Sequence, residues 1–121
     1  MKVLADTAVW VQHLHDGLPR MRALLEDNQV VIHPFVRGEI ALGMLHQRSL
    51  ILSGLLELPT VTVARHEEVL ALIEQRRLWG TGLGWVDTHL LASALLGGVR
   101  LWTLDRPLAR QAERLGVAFP S

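Results

Sequence analysis

Short apolar runs alternate with helical patterns along the chain, and this alternation restricts the possible fold more than any other feature. Most of the runs are followed by apolar residues at helical spacing. The runs are Lys2–Ala5, Val30–Ile32, Val61–Val63, Val99–Leu104 and Val117–Phe119. Such alternation is typical of a parallel sheet with helices on both faces. We therefore predict one α/β domain of residues 1–121, a three-layer α/β/α sandwich whose central, mostly parallel sheet has about 4–5 strands.

Composition limits the kinds of partner that the chain can hold. Twelve basic and twelve acidic residues cancel, so a polyanion has to be held by local charge or by metal. The absence of cysteine excludes disulfides, thiolate metal sites and cysteine nucleophiles. The longest apolar-rich stretch, Leu90–Val99, is about half of a membrane span, and we expect no secretory leader, because the apolar run before Asp6 is too short for one. We expect a cytoplasmic protein with no membrane segment.

Four carboxylates occupy matching positions, each where an apolar run stops and a helical pattern begins or continues. Asp6 and Asp105 directly follow predicted strands, whereas Glu39 and Asp87 lie in the early turns of predicted helices. In a parallel sheet the ligand crevice lies outside the carboxyl ends of the strands. We therefore expect the four carboxylates to converge at one edge of the sheet.

Each carboxylate also has an ordinary structural explanation. Asp6 and Asp105 suit helix N-caps, Asp87 suits the positive end of a helix dipole, and Glu39 suits a solvated helix face. Gathered together, however, four acids would repel one another and raise each other's pKa unless cations neutralised them. Oxygen ligands favour Mg²⁺ or Mn²⁺ over zinc, and such ions in an acidic pocket commonly serve phosphodiester hydrolysis.

Four segments in this order resemble the PIN-domain ribonucleases, in particular the toxin subunits of VapBC-type toxin–antitoxin pairs. The segments are Val3–Thr7, Gly38–Ala41, Gly84–Ala92 and Leu101–Arg106. The resemblance covers essentially the whole chain and implies a PIN-like, Rossmann-like fold. It implies a metal-dependent endoribonuclease, the toxin of a type II system, in which an activated water cuts cellular RNA to leave a 5′-phosphate and a 3′-hydroxyl.

The same resemblance assigns roles to individual residues. It implies that the catalytic and metal-binding quartet is Asp6, Glu39, Asp87 and Asp105, holding Mg²⁺ or Mn²⁺. It suggests that the hydroxyls of Thr7 and Thr103 orient the carboxylates or the attacking water. It further implies an RNA substrate, a cognate antitoxin, and a homodimer or a toxin–antitoxin hetero-oligomer. The apolar segment from Phe35 to Leu56 is expected to help form the antitoxin groove.

Several other residues carry weaker signals. Arg106 and Arg110 are four apart on one predicted helical face and suit RNA phosphates, although a solvated face explains Arg110 equally well. Of the four tryptophans that could stack on bases, Trp79 is expected to be exposed and Trp102 to lie in the core. His89 is two positions from Asp87 and should face away from it.

Two other classes of protein also place an acid after the first strand or share this fold. A phosphoryl-transfer domain of the receiver or haloacid-dehalogenase kind would need a lysine near its phosphate site, and the only lysine is Lys2. A catalytically silent PIN-like module that binds RNA or a protein remains the main alternative. The complete acidic quartet argues against that module, because a binding surface has no need to gather repelling acids.

Overall fold

The computed structural model describes residues 1–120, and Ser121, the last residue of the predicted domain, lies outside them. The chain alternates strands and helices as the sequence predicts. The strands are β1 (Val3–Ala5), β2 (Val30–Val31) and β3 (Arg100–Trp102). The helices are α1 (Thr7–Asp16), α2 (Pro19–Glu26), α3 (Pro34–Ala41), α4 (Arg48–Glu57), α5 (His66–Arg76), α6 (Trp85–Gly97) and α7 (Arg106–Arg114). No helix among the described residues is long and apolar enough to span a membrane.

The three strands form one parallel sheet in the order β2-β1-β3. The chain leaves β1 toward β2 and later returns past β1 to reach β3. Right-handed crossovers in opposite directions place their helices on opposite faces, which gives the predicted α/β/α layering. The connection direction reverses between β1 and β3, and a ligand crevice is expected outside the carboxyl ends of strands at such a point.

The prediction of about 4–5 strands is wrong in one respect, because the two outer segments each form a single bridge. Ile32 bridges to Thr60 on one side of the sheet and Leu101 bridges to Ala118 on the other. Around Ile32, the amide bonds run from Ile32 N to Pro59 O and from Val61 N to Ile32 O. The next amide donors in this ladder would belong to Pro34 and Pro59, which have no N–H, so pairing stops there.

A different cause limits the pairing beside β3. Leu101 N donates to Val117 O, and Phe119 N donates to Leu101 O. The preceding rung would need the amides of Val99 and Val117, but these donate to Ala94 and Ala112 and so close the ends of α6 and α7. The outer segment therefore contributes one bridge instead of a strand.

Helix α6 runs through the middle of the protein. Residues 88–94 are all buried, so this helix packs on every side and its position is fixed. It contacts α5, α7 and β3. Its amino terminus, with Asp87 in the first turn, therefore has a fixed position relative to the sheet.

Candidate active site

The four predicted carboxylates line one cleft at the carboxyl edge of the sheet. The cleft has a volume of about 240 Å³ and is bordered by Asp6, Thr7, Ala8, Glu39, Val86, Asp87, Leu90 and Asp105. The structure thus brings together the four acids and Thr7. Val86 and Leu90 form its apolar wall; both are apolar neighbours of Asp87 in the sequence, and because they are four apart they share one face of α6.

Three of the four acids are also helix caps, as their ordinary explanation predicts. Asp6 Oδ1 accepts from Val9 N at 3.3 Å at the start of α1. Asp105 Oδ2 accepts from Leu108 N at 3.0 Å at the start of α7, and Asp87 Oδ2 accepts from Gly84 N at 3.3 Å before α6. The amino ends of three helices therefore meet at the cleft, where their dipoles favour negative charge. Capping and lining the cleft are compatible roles.

Two threonine hydroxyls connect the acids to one another. Thr103 Oγ1 donates to the second oxygen of Asp6 and accepts from the amide of Asp105 at 3.0 Å, so one hydroxyl links two of the acids. Thr7 Oγ1 donates to Glu39 Oε1 at 2.6 Å. The positions of Thr7 and Thr103 beside the carboxylates thus agree with the expectation from the sequence.

The acids differ in how far they are removed from water. Asp6 is buried, with 7% of its surface exposed, and Asp87 is half-buried. Glu39 and Asp105 are exposed, and Glu39 thus lies on a solvated helix face, as its ordinary explanation predicts. The reason is its place on α3, where Gly38 and Glu39 lie on the exposed side and the buried positions are Val36 and Ile40.

Burial and mutual repulsion both disfavour charge in the cleft. Burial raises the pKa of Asp6, the hydrogen bonds from Thr103 and Val9 lower it, and the charges of Asp87 and Asp105 raise it further. Burial likewise raises the pKa of Asp87, the Gly84 amide opposes this, and the charges of Asp105 and Glu39 add to it. The hydrogen bonds only partly offset the cost of holding these carboxylates ionised.

The donor chemistry of the cleft fits a hard divalent cation. Its charged groups are carboxylates, which are ligands that Mg²⁺ and Mn²⁺ accept. Within residues 1–120 no three His, Asp or Glu side chains stand as a ready-made set of ligands. Carboxylates that do not form such a set still suit Mg²⁺, because this ion keeps several waters and is commonly held by only one or two carboxylates.

The predicted arginines lie beside the cleft on α7. Arg106 directly follows the cap residue Asp105, and Arg110 is one turn further along, both exposed. Neither forms a salt bridge with a carboxylate of residues 1–120. Trp79 is 59% exposed and Trp102 is buried at 7%, as predicted.

A group of histidines packed around His89 of α6 was not predicted. His89 is 1% exposed and turned away from Asp87, as expected, but its Nε2 lies 3.0 Å from Nδ1 of His66. The rings of Phe35 and Trp85 pack against His89, with centroids 4.9 Å and 4.7 Å away. His33 and His66 are far from His89 in sequence, so no local pattern indicates this contact.

Comparison with known proteins adds to this geometry. A family model described as PIN domain matches residues 3–114, which includes every acid of the cleft. Two proteins named Ribonuclease VapC32, from two strains of Mycobacterium tuberculosis, are each 47% identical to this chain over 118 residues. Each match covers 97% of this chain and 95% of the relative. The similarity therefore extends over nearly the full length of both proteins.

Proposed function

The chain belongs to the PIN-domain family, and from that premise we propose that it is a metal-dependent endoribonuclease and the toxin of a toxin–antitoxin pair. The observation that carries the proposal is the single cleft lined by Asp6, Glu39, Asp87 and Asp105. The relatives named Ribonuclease VapC32 support the ribonuclease activity and the toxin class. A cytoplasmic setting, where cellular RNA is available, agrees with this function.

The acids of the cleft would hold Mg²⁺ or Mn²⁺. Asp6, Asp87 and Asp105 are the proposed principal ligands, and Glu39 completes the quartet from the exposed side. When bound, the cation supplies charge neutralisation and lowers the pKa of water so that hydrolysis proceeds near neutral pH. Without such neutralisation, an RNA phosphate would be repelled by the same carboxylates.

The chain's own residues then fix the positions of the oxygens. Thr103 holds the second oxygen of Asp6 while Val9 N holds the first, so this carboxylate has little freedom to rotate. Thr7 orients Glu39 in the same way with one hydrogen bond. Such supporting hydrogen bonds keep ligand oxygens in one arrangement and commonly matter about 10–100-fold for metal affinity or activity.

Arg106 and Arg110 are proposed to hold the RNA backbone beside the acids. Both are exposed on α7, whose first turn is capped by Asp105, and both lack a carboxylate partner among residues 1–120. A guanidinium group suits a phosphate because it can donate two parallel hydrogen bonds. These arginines would oppose the repulsion that the acid cleft exerts on the rest of the strand.

The cognate antitoxin is proposed to bind the apolar surface between α1, α3 and α4. Leu42, Met44, Leu50 and Leu56 on or near these helices are between 69% and 102% exposed. A groove of about 170 Å³ there is bordered by Val11, Leu14, Ile40 and Met44, and also by Glu39, which lines the acid cleft as well. A partner on this surface would cover exposed apolar side chains and reach the active site.

Cleavage of cellular RNA tests the ribonuclease proposal. We expect discrete fragments with Mg²⁺ or Mn²⁺, none with EDTA, and at least about a 100-fold loss of rate in Asp87→Asn. Asp16→Asn is the matched control, because Asp16 ends α1 and lies about 15 Å along that helix from Asp6. Cleavage by Asp87→Asn at the parental rate would contradict the site, and RNA binding without any turnover would favour the silent module.

A further inference from the structure

The loop of residues 77–84 lies alongside helix α7 and ends at the acid cleft. At one end of the loop, Arg114 Nη2 at the end of α7 donates to the carbonyl of Arg76 at 2.8 Å. Near the other end, the backbone of Gly82 lies close to Pro107 in the first turn of α7. A side chain at position 82 would place its Cβ only 3.3 Å from the proline ring. The loop therefore runs from the end of α7 back to its start. The nine residues of α7 span about 13 Å along the helix axis.

This loop holds a tryptophan outward on a fixed backbone. Leu78 is buried, and its carbonyl accepts from Thr81 Oγ1 at 2.5 Å. Arg77 begins the loop with φ 53° and Gly80 follows with φ 70°, so the chain turns sharply on both sides of Trp79. Trp79 is consequently 59% exposed although its neighbour Leu78 is anchored in the core.

The loop that carries this tryptophan and the neighbouring helix α7 are rich in arginine. Arg106, Arg110 and Arg114 recur every four residues on α7 and share one face of that helix. Arg76 and Arg77 flank the loop, and no salt bridge of residues 1–120 involves any of the five arginines. The carboxylates on or directly beside these stretches of α5 and α7 are Glu74, Asp105 and Glu113, so positive charge still exceeds negative charge locally in a chain that is neutral overall.

We propose, on the basis of the ribonuclease function above, that this loop and the exposed face of α7 bind a single-stranded segment of RNA and lead it to the acid cleft. Trp79 stacks on one unpaired base, while Arg77 and Arg110 contact the phosphates beside it. An exposed aromatic ring within a basic groove is the usual way in which proteins hold single strands. A base inside a duplex could not stack on Trp79, because it is already stacked and paired. The contact with Trp79 therefore requires an unpaired base.

Binding measured without turnover tests the proposal. A fluorescent, unstructured RNA and a blunt-ended RNA duplex of the same length are titrated with protein in EDTA, and fluorescence anisotropy gives both dissociation constants. We expect Trp79→Ala to weaken binding of the unstructured RNA between about 5-fold and about 100-fold and to leave duplex binding unchanged within about 2-fold. Trp79→Phe keeps a ring that can stack and should retain most of the affinity.

The controls distinguish the loss of a stacked base from a general loss of RNA affinity. Leu70→Ala removes another exposed apolar side chain, on α5, and should leave both affinities unchanged. An RNA that lacks the base at the stacked position should bind the parent weakly and lose little more with Trp79→Ala. Equal affinities of Trp79→Ala and the parent for the unstructured RNA would overturn the proposal, and that is also the result expected if a protein partner covers the loop.

Cleavage by the same proteins separates this proposal from the function on which it rests. If the parent cuts RNA with metal and Trp79→Ala cuts unstructured RNA equally well at low substrate concentration, the proposed RNA-binding role of Trp79 is wrong and the proposed ribonuclease activity is retained. If the parent binds unstructured RNA through Trp79 but never cuts it, the proposed ribonuclease activity is wrong and the RNA-binding role of Trp79 is retained. Unfolding temperatures of the variants should match the parent, since the changed side chains are exposed.

Discussion

Helix α6 contributes to two clusters of ionisable side chains, and burial shifts the pKa values of the two clusters in opposite directions. The acid cluster consists of Asp6, Glu39, Asp87 and Asp105. The histidine cluster consists of His33, His66 and His89 with the rings of Phe35 and Trp85. Asp87 and His89 are two positions apart on α6 and therefore point to different sides of it.

Burial disfavours the charged form in both clusters, with different results at neutral pH. It raises the pKa of Asp6 and Asp87, so it opposes the negative charge of these carboxylates. It lowers the pKa of His33 to about 4, and together with His66 it lowers the pKa of His89, so these rings are neutral. In the acid cluster, burial therefore opposes a negative charge that a bound cation would stabilise, whereas burial keeps His33 and His89 in their neutral form.

The largest expected effect is the loss of stability at acidic pH that comes from protonation of His33. Its folded pKa of about 4 lies below the ordinary 6.5, so its contribution to stability is complete above pH 6.5 and is lost as pH falls toward 4. The loss would amount to about 3 kcal/mol over that window. We expect the free energy of unfolding of the parent, measured with urea at steps from pH 7 to pH 4, to fall more steeply than that of His33→Asn.

Asparagine suits this comparison because it can replace the helix cap. His33 Nδ1 accepts from Phe35 N at 2.9 Å at the start of α3, and an asparagine oxygen can accept in the same place. His46→Asn removes an exposed histidine and should keep the parental pH dependence. Equal slopes for His33→Asn and the parent would show that His33 is not kept neutral by burial, and the comparison would fail.

The acid cluster depends on hydrogen bonds that orient its charges, so removing one should affect activity more than stability. Thr103→Val deletes the hydroxyl that connects Asp6 with Asp105. We expect cleavage to fall about 10–100-fold, with about 1 kcal/mol lost from the free energy of unfolding. Thr103→Ser keeps the hydroxyl and should cleave at nearly the parental rate. If Thr103→Val and Thr103→Ser had equal activity, the hydroxyl would have no role.

A smaller effect should appear in the stability of the acid cluster itself. Asp87→Asn keeps an oxygen for the Gly84 amide but removes one of the repelling charges. In buffer with EDTA we expect its melting temperature to rise by about 1–4 °C. A fall would mean that the charge of Asp87 stabilises the metal-free protein, so that the four acids do not repel one another as described.

The sequence predicts the acid cluster well because its signals are local. Asp6 and Asp105 follow strands and cap helices, and the topology of a parallel sheet brings such positions to one edge. The solvated helix face expected for Glu39 is also found, since Gly38 and Glu39 lie on the exposed side of α3. The shortness of the outer segment that pairs with Ile32 follows from the missing N–H groups of Pro34 and Pro59, a signal that was present in the sequence.

The histidine cluster could not be predicted in the same way. His66 and His89 come from different helices and meet only because α5 packs against α6. His33 is an unusual cap residue, since its ring nitrogen accepts the capping hydrogen bond that a serine, threonine, aspartate or asparagine oxygen ordinarily accepts. Contacts between distant residues depend on packing, which local patterns do not encode.

Cation binding to the purified protein tests most directly whether the acid cluster is the metal centre. Titration calorimetry with Mn²⁺ would compare the parent, Asp87→Asn and the control Asp16→Asn. We predict saturable binding to the parent and to Asp16→Asn, and at least about a 10-fold weaker affinity for Asp87→Asn. Equal affinity for all three proteins would contradict the account, because the bound ion would then lie outside the cleft.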